Sequence, residues 1–301
     1  MSRFLLLVSV ALTLILATPA RAEDFWAPKS TAKSKYVAPH RPHTKIAELK
    51  AKHEGEKSWR ELIVDDKDLR SEYIYAAPGA KVPRAVHPDT RTWWVVMDGE
   101  VRFEIETVDP FVARKGSIVQ VPKQTLFSYE VVGNQPALVF ETNIAGARTL
   151  YPQQSDAPKL PGYDWMKVSF ARHPAVWESQ NKPHVTFDAL AKAVESGKPG
   201  GSPVHDDRGM ANFIYGYEKN LPSIASQGRG HYHPEGAEYW LIMSGQIRYA
   251  IEGLDVLIAN TGDVVYVPAH TFHLARWYGP GPSTRLAMNG FSDIADFFDP
   301  H

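Results

Sequence analysis

Residues 85–133 recur at 231–279, 146 positions later and without a gap, and sixteen of the 49 paired positions are identical. The identical pairs include His87/His233, Pro88/Pro234, Trp94/Trp240, Met97/Met243, Gly99/Gly245, Arg102/Arg248, Gly116/Gly262 and Pro122/Pro268. A chain that uses one unit twice must fold that unit twice, so the repeat limits the architecture before any motif is read. Within each copy, short runs of Val, Ile, Tyr, Trp and Phe are broken by Gly, Pro and Asp turns. That is the pattern of many short β-strands, which protect their edges most readily by closing into a sandwich or barrel. A helical stretch precedes each copy, Ile46-Ala47-Glu48-Leu49 before the first and Phe187-Asp188-Ala189-Leu190 before the second. The expected fold class is therefore all-β, two tandem barrels with a short helix before each.

Outside the repeat, Arg3, the apolar run from Phe4 to Ala17, Pro19 and the small residues of Ala20-Arg21-Ala22 have the form of a secretory signal peptide cut after Ala22. The run is shorter than the ~20 residues of a membrane span, so the mature chain is expected to be periplasmic or secreted and free of the membrane. Cysteine is absent, which excludes disulfides, thiol ligands and a lipoprotein anchor. A net charge of −1 gives no basis for a nucleic-acid partner. Thr44 is placed to cap a helix running to about Lys57, with Ile46, Leu49 and His53 on one face. Thr186 caps a second helix over Phe187–Glu195, which Gly197 ends.

The chemistry concentrates in the second copy. His231 and His233, two apart on a strand, leave the same face. Glu238 follows five residues later, an odd interval that the turn material Pro234-Glu235-Gly236-Ala237 can correct. His273 begins a strand after Gly262-Asp263-Val264-Val265-Tyr266-Val267-Pro268 and a short loop. Three imidazoles and a carboxylate suit a divalent first-row metal and leave coordination positions open. In the first copy the matching residues are Ala85, His87, Thr92 and Phe127, which cannot hold one. One metal per chain is expected, with Cu, Zn, Mn, Fe and Ni all admissible. His87 is expected to be a packed or hydrogen-bonded barrel residue.

The spacings His231-x-His233-x4-Glu238-x6-Gly245 and Gly262-x5-Pro268-x4-His273 resemble the two cupin motifs. The departures, His270 in place of a Gly and Trp277 in place of an Asn, remove no ligand. The resemblance covers both halves and implies a bicupin with metal only in its second barrel. It divides the chain into a signal peptide (1–22), an arm with a short helix (23–58), a metal-free cupin barrel (59–150), a linker with a helix (151–200) and a metal-binding cupin barrel (201–301). The superfamily includes oxygenases, decarboxylases, isomerases, lyases and non-catalytic binders, so the fold alone does not name a reaction. Oxalate decarboxylases are similar in being bicupins with these four ligand types. They place an Arg three residues before the first ligand and fill both barrels, whereas this chain has Gly228 and a stripped first barrel. Flavonol-cleaving dioxygenases also use three His and one Glu.

Around the ligands, alternation puts Trp240 and Ile242 on the face of Glu238, Tyr249 on that of Ile247 and Ile251, and Tyr266 beside Val264 facing inward. Core packing explains each tyrosine alone; with Trp240 and Trp277 they describe a partly aromatic pocket. Arg229, two residues before the first ligand, could clamp a substrate carboxylate, and a rim ion pair fits it equally. His205-Asp206-Asp207 reads as a solvated turn. No catalytic residue is named by the sequence. Two functions fit: a metal-dependent enzyme acting on a small organic acid or aromatic metabolite (dioxygenase, decarboxylase, isomerase or lyase), and a non-catalytic metal- or ligand-binding periplasmic protein. The open coordination positions favour the enzyme. A small molecule is the expected partner, and a homo-oligomer stays open.

Overall fold

Each half of the computed structural model is a pair of facing antiparallel sheets. The structure describes residues 24–174, 176–177 and 180–300. The signal peptide read at 1–22 lies outside the described residues. The chain begins with β1 (His43–Thr44) and α1 (Ile46–Lys52). The first barrel follows as β2 (Trp59–Asp65), β3 (Leu69–Ala76), β4 (Lys81–Ala85), β5 (Thr92–Asp98), β6 (Glu100–Ile105), β7 (Phe111–Arg114), β8 (Ile118–Val121), β9 (Phe127–Val132) and β10 (Ala137–Ile144). After the connector come β11 (His184–Val185) and α2 (Phe187–Glu195). The second barrel contains β12 (Val204–Asp206), β13 (Gly209–Tyr217), β14 (His231–Tyr232), β15 (Glu238–Ser244), β16 (Gln246–Ile251), β17 (Leu257–Asn260), β18 (Val264–Val267), β19 (His273–Tyr278), β20 (Pro282–Asn289) and β21 (Phe297–Phe298). Among the described residues no helix is long and apolar enough to cross a membrane.

The first barrel joins a sheet ordered β11-β8-β5-β10-β3-β2 to one ordered β4-β9-β6-β7; the second joins β1-β18-β15-β20-β13-β12 to β17-β16-β19-β14-β21. Alternation is clean in β6, β9 and β16 of the outer sheets. In β6, Val101, Phe103 and Ile105 are buried while Glu100, Arg102 and Glu104 reach solvent to differing degrees. The six-stranded sheets differ, because they pack on each other. In β5, Trp94 and Val96 fill the barrel, whereas Trp93, Val95 and Met97 face the other half. The interbarrel core also takes Tyr73 and Phe140 from the first half and Phe213, Tyr239, Leu241 and Leu286 from the second. Two of its hydroxyls are paired across the interface: Ser71 Oγ bonds Tyr239 Oη at 2.7 Å, and Tyr73 donates to the Gly262 carbonyl at 2.6 Å.

The segments before the barrels are exchanged. β1, which precedes the first barrel, pairs with β18 of the second through His43↔Val265 and Thr44↔Val264. β11, which precedes the second, pairs with β8 of the first through His184↔Val119 and Val185↔Ile118. The helices follow. A Cβ on Gly262 would lie 2.9 Å from Ile46 of α1, and one on Gly116 would lie 2.7 Å from Phe187 of α2; both glycines also have positive φ, so helix contact and turn each require glycine. His43 Nε2 bonds Asp263 at 2.8 Å, and His184 Nε2 bonds Ser117 at 2.9 Å. Each half therefore completes the other's central sheet.

Two expectations need correction here. Thr44 does not cap α1; it is a strand residue, and the helix is short, with Lys45 at its N-cap and no side-chain cap. α2 has the expected cap, Thr186 Oγ1 accepting from the Ala189 N–H at 3.3 Å. Tyr266 faces the interbarrel core, stacked on His40 at 4.3 Å, and Val265 and Val267 fill the barrel instead. All of β18 is buried, so alternation could not say which face was inside.

Asp263 ties the exchanged arm down, accepting from Ile46 N at 3.0 Å and Asn260 N at 2.9 Å besides His43. Asp263→Ala leaves those part-buried donors without an acceptor and should cost about 1–2 kcal/mol. It should also open residues 24–45 to protease, as read by denaturant unfolding and limited proteolysis. Unchanged stability and cleavage would contradict the arm's role.

Candidate metal centre

β14 is a strand of two residues between β19 and β21, and it meets β19 with His231 directly opposite His273. The strands approach so closely that a Cβ on Gly230 would lie 2.0 Å from the His273 carbonyl oxygen. The turn at 234–237 restores the facing lost to the odd interval, and Glu238 opens β15 in register with Asn289 and Val267. His231, His233, Glu238 and His273 thus each offer a donor atom within 4.8 Å of the others. His233 Nε2 lies 3.0 Å from Glu238 Oε2, and His273 Nε2 lies 3.2 Å from the same oxygen and 3.1 Å from His231 Nε2. Metal–ligand bonds of about 2.1 Å at right angles put neighbouring donors about 3 Å apart, so the observed edges fit a bound ion.

The far ring nitrogens are held as such a site needs. His273 Nδ1 donates to the Thr271 carbonyl at 3.0 Å, which turns its Nε2 lone pair to the centre. His233 Nδ1 donates to the Ala295 carbonyl at 3.0 Å and lies 3.2 Å from Asp296 Oδ1. Burial opposes charge on His233, but its bonds with Asp296 and Glu238 raise its pKa to about 10. Burial and the neighbouring His273 push His231 down to about 4. Burial works against the Glu238 carboxylate, yet His233 and His273 hold it well below the usual range. Two carboxylates among buried imidazoles make a centre that attracts a cation.

The cluster forms one wall of a cavity of about 740 Å³ that also meets Asn212, Trp240, Arg285, Asn289 and Asp296. Of the aromatic and basic residues expected around the ligands, Trp240 lines this cavity, its ring 5.1 Å from that of His273. Tyr249 is fully buried in the barrel behind Trp240, at 5.1 Å. Trp277 lies four residues along β19 from His273, packed on Gly216 rather than on the cavity wall. Arg229 does not reach the cavity; it pairs with Asp299 at 2.9 Å and covers the Phe272 ring at 4.0 Å. Tyr266, on the other face of β18, is likewise absent from it.

Sequence reasoning missed the C-terminal segment. β21 pairs with β14, with Phe298 opposite His231, and carries Asp296 to the cavity rim. Its sequence, Ser292-Asp293-Ile294-Ala295-Asp296, has no strand or motif signal that could have placed it. Arg285 and Asn289 were also missed, although the alternation of β20 marks them: Leu286 and Met288 belong to the interbarrel core, so the odd positions turn inward.

The first barrel is closed where the second is open. Phe127 packs on Trp94 at 5.3 Å and on His87 at 5.4 Å, in the place of His273. His87 Nδ1 donates to the Arg148 carbonyl at 3.0 Å, and its Nε2 accepts from Asn143 at 3.3 Å. Both nitrogens are satisfied in the neutral form, and burial pushes the pKa down.

Fold and site define a two-barrel protein with a single candidate metal centre among the described residues. The Cupin domain family model matches residues 73–143 and 221–288, and the chain is a bicupin: two tandem cupin domains, with the His/His/Glu/His cluster in the second. No curated protein matches the sequence. Solved structures share the fold at low identity. A cupin 2 conserved barrel domain protein from Leptotrichia buccalis is 11% identical, with a TM-score of 0.52 over 82% of this chain and 95% of that one. Salicylate 1,2-dioxygenase from Pseudaminobacter salicylatoxidans is 13% identical, with a TM-score of 0.58 over 89% and 87%. A mutant of that dioxygenase in complex with gentisate gives 0.59 at 13% identity over 90% and 88%.

The two halves should separate by metal analysis. Fully loaded protein should hold about one divalent ion, His233→Ala should lose it, and His87→Ala should keep it. A content near two, or equal loss from both variants, would contradict the asymmetry.

His87 also predicts a pH effect. Its folded pKa lies below the unfolded value of about 6.5, so the unfolded chain takes the proton first. The stability His87 contributes is complete above that value and falls as pH drops toward the folded one. Between pH 7 and 5, metal-free wild type should lose more stability than His87→Gln in denaturant titrations; equal losses would contradict the buried neutral imidazole.

Proposed function

We propose that this bicupin is an exported, metal-dependent enzyme that acts on a small organic acid or aromatic metabolite in its second barrel. The observation that carries the reading is the placing of the four donors. They sit on the wall of a 740 Å³ cavity, not in a sealed core, and His231 stays partly exposed on it. Structural metal sites are closed, whereas catalytic ones keep a position for water or substrate. A divalent metal held there would supply Lewis-acid or dioxygen chemistry. The protein's part is to orient the donors through Thr271, Ala295 and Asp296, and to bind substrate against Trp240. The signal sequence at 1–22 supports export. The salicylate dioxygenase shares only the fold, and its gentisate complex is an analogy for ligand size and class.

The test uses full-length precursor matured in a bacterium, purified from the periplasm and loaded with single metals. The mature chain should begin at Glu23 and turn over at least one member of a panel of aromatic and aliphatic acids, read by dioxygen uptake and product mass. His273→Ala should remove that turnover. Metal-loaded protein that binds members of the panel but converts none would favour a binding role instead, and an uncut cytoplasmic chain would contradict export.

A further inference from the structure

We propose that Arg285, with Tyr249 beside it, is a carboxylate-binding subsite of the second barrel and that the ligand is a small organic carboxylate. This rests on the enzyme reading above only for the fate of the ligand; the subsite itself stands on separate observations.

Arg285 lies mid-strand on β20, in register with Ile214 of β13 and Ile242 of β15. Its side chain therefore enters a barrel walled by apolar residues. Among the described residues its guanidinium makes no hydrogen bond or ion pair with protein, and its Nε is buried without a partner. Among the described residues Arg91 pairs with Asp206 and Arg229 with Asp299, while Arg276 donates to the Pro222 carbonyl through one nitrogen and leaves its Nη1 without a partner. Arg285 is half-buried, and a charge drawn partly out of water without a direct partner is costly, so a fold keeps one where something else supplies the counter-charge.

A second unpaired donor sits next to it. Tyr249 Oη, from β16, is buried and has no hydrogen-bond partner. Burial holds the Tyr249 phenol well above the usual range, and the Arg285 cation is close enough to oppose that shift. Tyr249 lies behind the cavity wall, so it is Arg285, which lines the cavity, that calls for an acceptor from outside. Arg285 opens on the same cavity as the four metal-site donors, and between it and Asn289 the inward face of the strand carries only the small Ala287. Arg285 and Asn289 are roughly 13 Å apart along the strand, so a ligand held at Arg285 points its other end toward the donors.

The repeat supplies an independent control. At the 146-residue offset, Arg285 corresponds to Val139, Tyr249 to Phe103 and Ala287 to Glu141. Val139 and Phe103 are both buried core residues of the first barrel. The two donors and the small residue between Arg285 and Asn289 are thus confined to the half that carries the metal-site residues. The planar fork of guanidinium suits a carboxylate, which accepts two parallel N–H bonds. Ile214, Trp240 and Ala275 on the walls suit an organic body rather than a bare inorganic anion.

The test measures binding by calorimetry to the mature protein, metal-loaded and metal-free, with acetate, benzoate and salicylate as probes and benzamide and inorganic phosphate as controls. At least one carboxylate should bind, and benzoate should bind at least tenfold more tightly than benzamide. Arg285→Met should weaken carboxylate binding by about 10- to 100-fold, as loss of a charge-assisted bond does, and Arg285→Lys should restore part of it. Tyr249→Phe should weaken it less. Arg285→Met should keep its metal and, having lost an unpaired half-buried charge, melt no lower than wild type without ligand. The proposal is overturned if wild type binds none of the acids, if phosphate or benzamide binds as well as they do, or if Arg285→Met binds them unchanged. A lower melting temperature for Arg285→Met would make the arginine a structural element and overturn it as well. Carboxylate binding through Arg285 without turnover by any metal form would sink the enzyme reading and leave the subsite standing; turnover undisturbed in Arg285→Met would do the reverse.

Discussion

The packing of one six-stranded sheet on the other is the constraint from which the rest follows. It buries both faces of β5, β15, β18 and β20, and it fixes the strand that Glu238 opens and the strand that presents Arg285 and Asn289. Fully burying a large apolar side chain contributes about 1.5–3 kcal/mol, and the interface takes Trp93, Phe140, Leu241 and Leu286, among others, out of water. The exchanged β1 and β11 then extend each sheet with a strand from the other half's leading segment. Neither barrel has a complete central sheet without the other. The chain is organised as an interlocked pair, not as two beads on a linker.

That arrangement lets one scaffold serve two ends. In the first barrel Phe127, Phe103 and Val139 fill the space that His273, Tyr249 and Arg285 occupy in the second, and the neutral His87 is fully bonded. In the second barrel the same positions hold polar groups, several of them unsatisfied or strongly perturbed by burial. A barrel with such an interior loses packing energy and must be supported from outside. The closed first barrel, the shared core and the arm anchored on Asp263 provide that support.

The repeat and the metal-ligand spacings were legible because both depend on short intervals along the chain. His231 and His233 share a strand face, and the turn before Glu238 is rich in turn formers. The inward placing of Tyr249 and Trp240 followed from alternation in the same way. Tyr266 was not legible, because a strand buried on both faces reads as a continuous apolar run. The exchange of β1 and β11 left no trace, since two-residue strands are set by tertiary contact rather than by propensity. Asp296 reaches the site on an irregular segment whose position depends on β14, and Arg285 stands out only once its missing partner is visible in three dimensions.

The central claim is that metal binds in the second barrel alone, on four named side chains. The most direct measurement is anomalous diffraction at the absorption edge of a loaded ion, in crystals of the mature chain. The account predicts one strong peak per chain, bonded to His231 Nε2, His233 Nε2, Glu238 and His273 Nε2, with nothing beside His87. A peak in the first barrel, or a second-barrel ion that leaves any of those four side chains unbound, would contradict it.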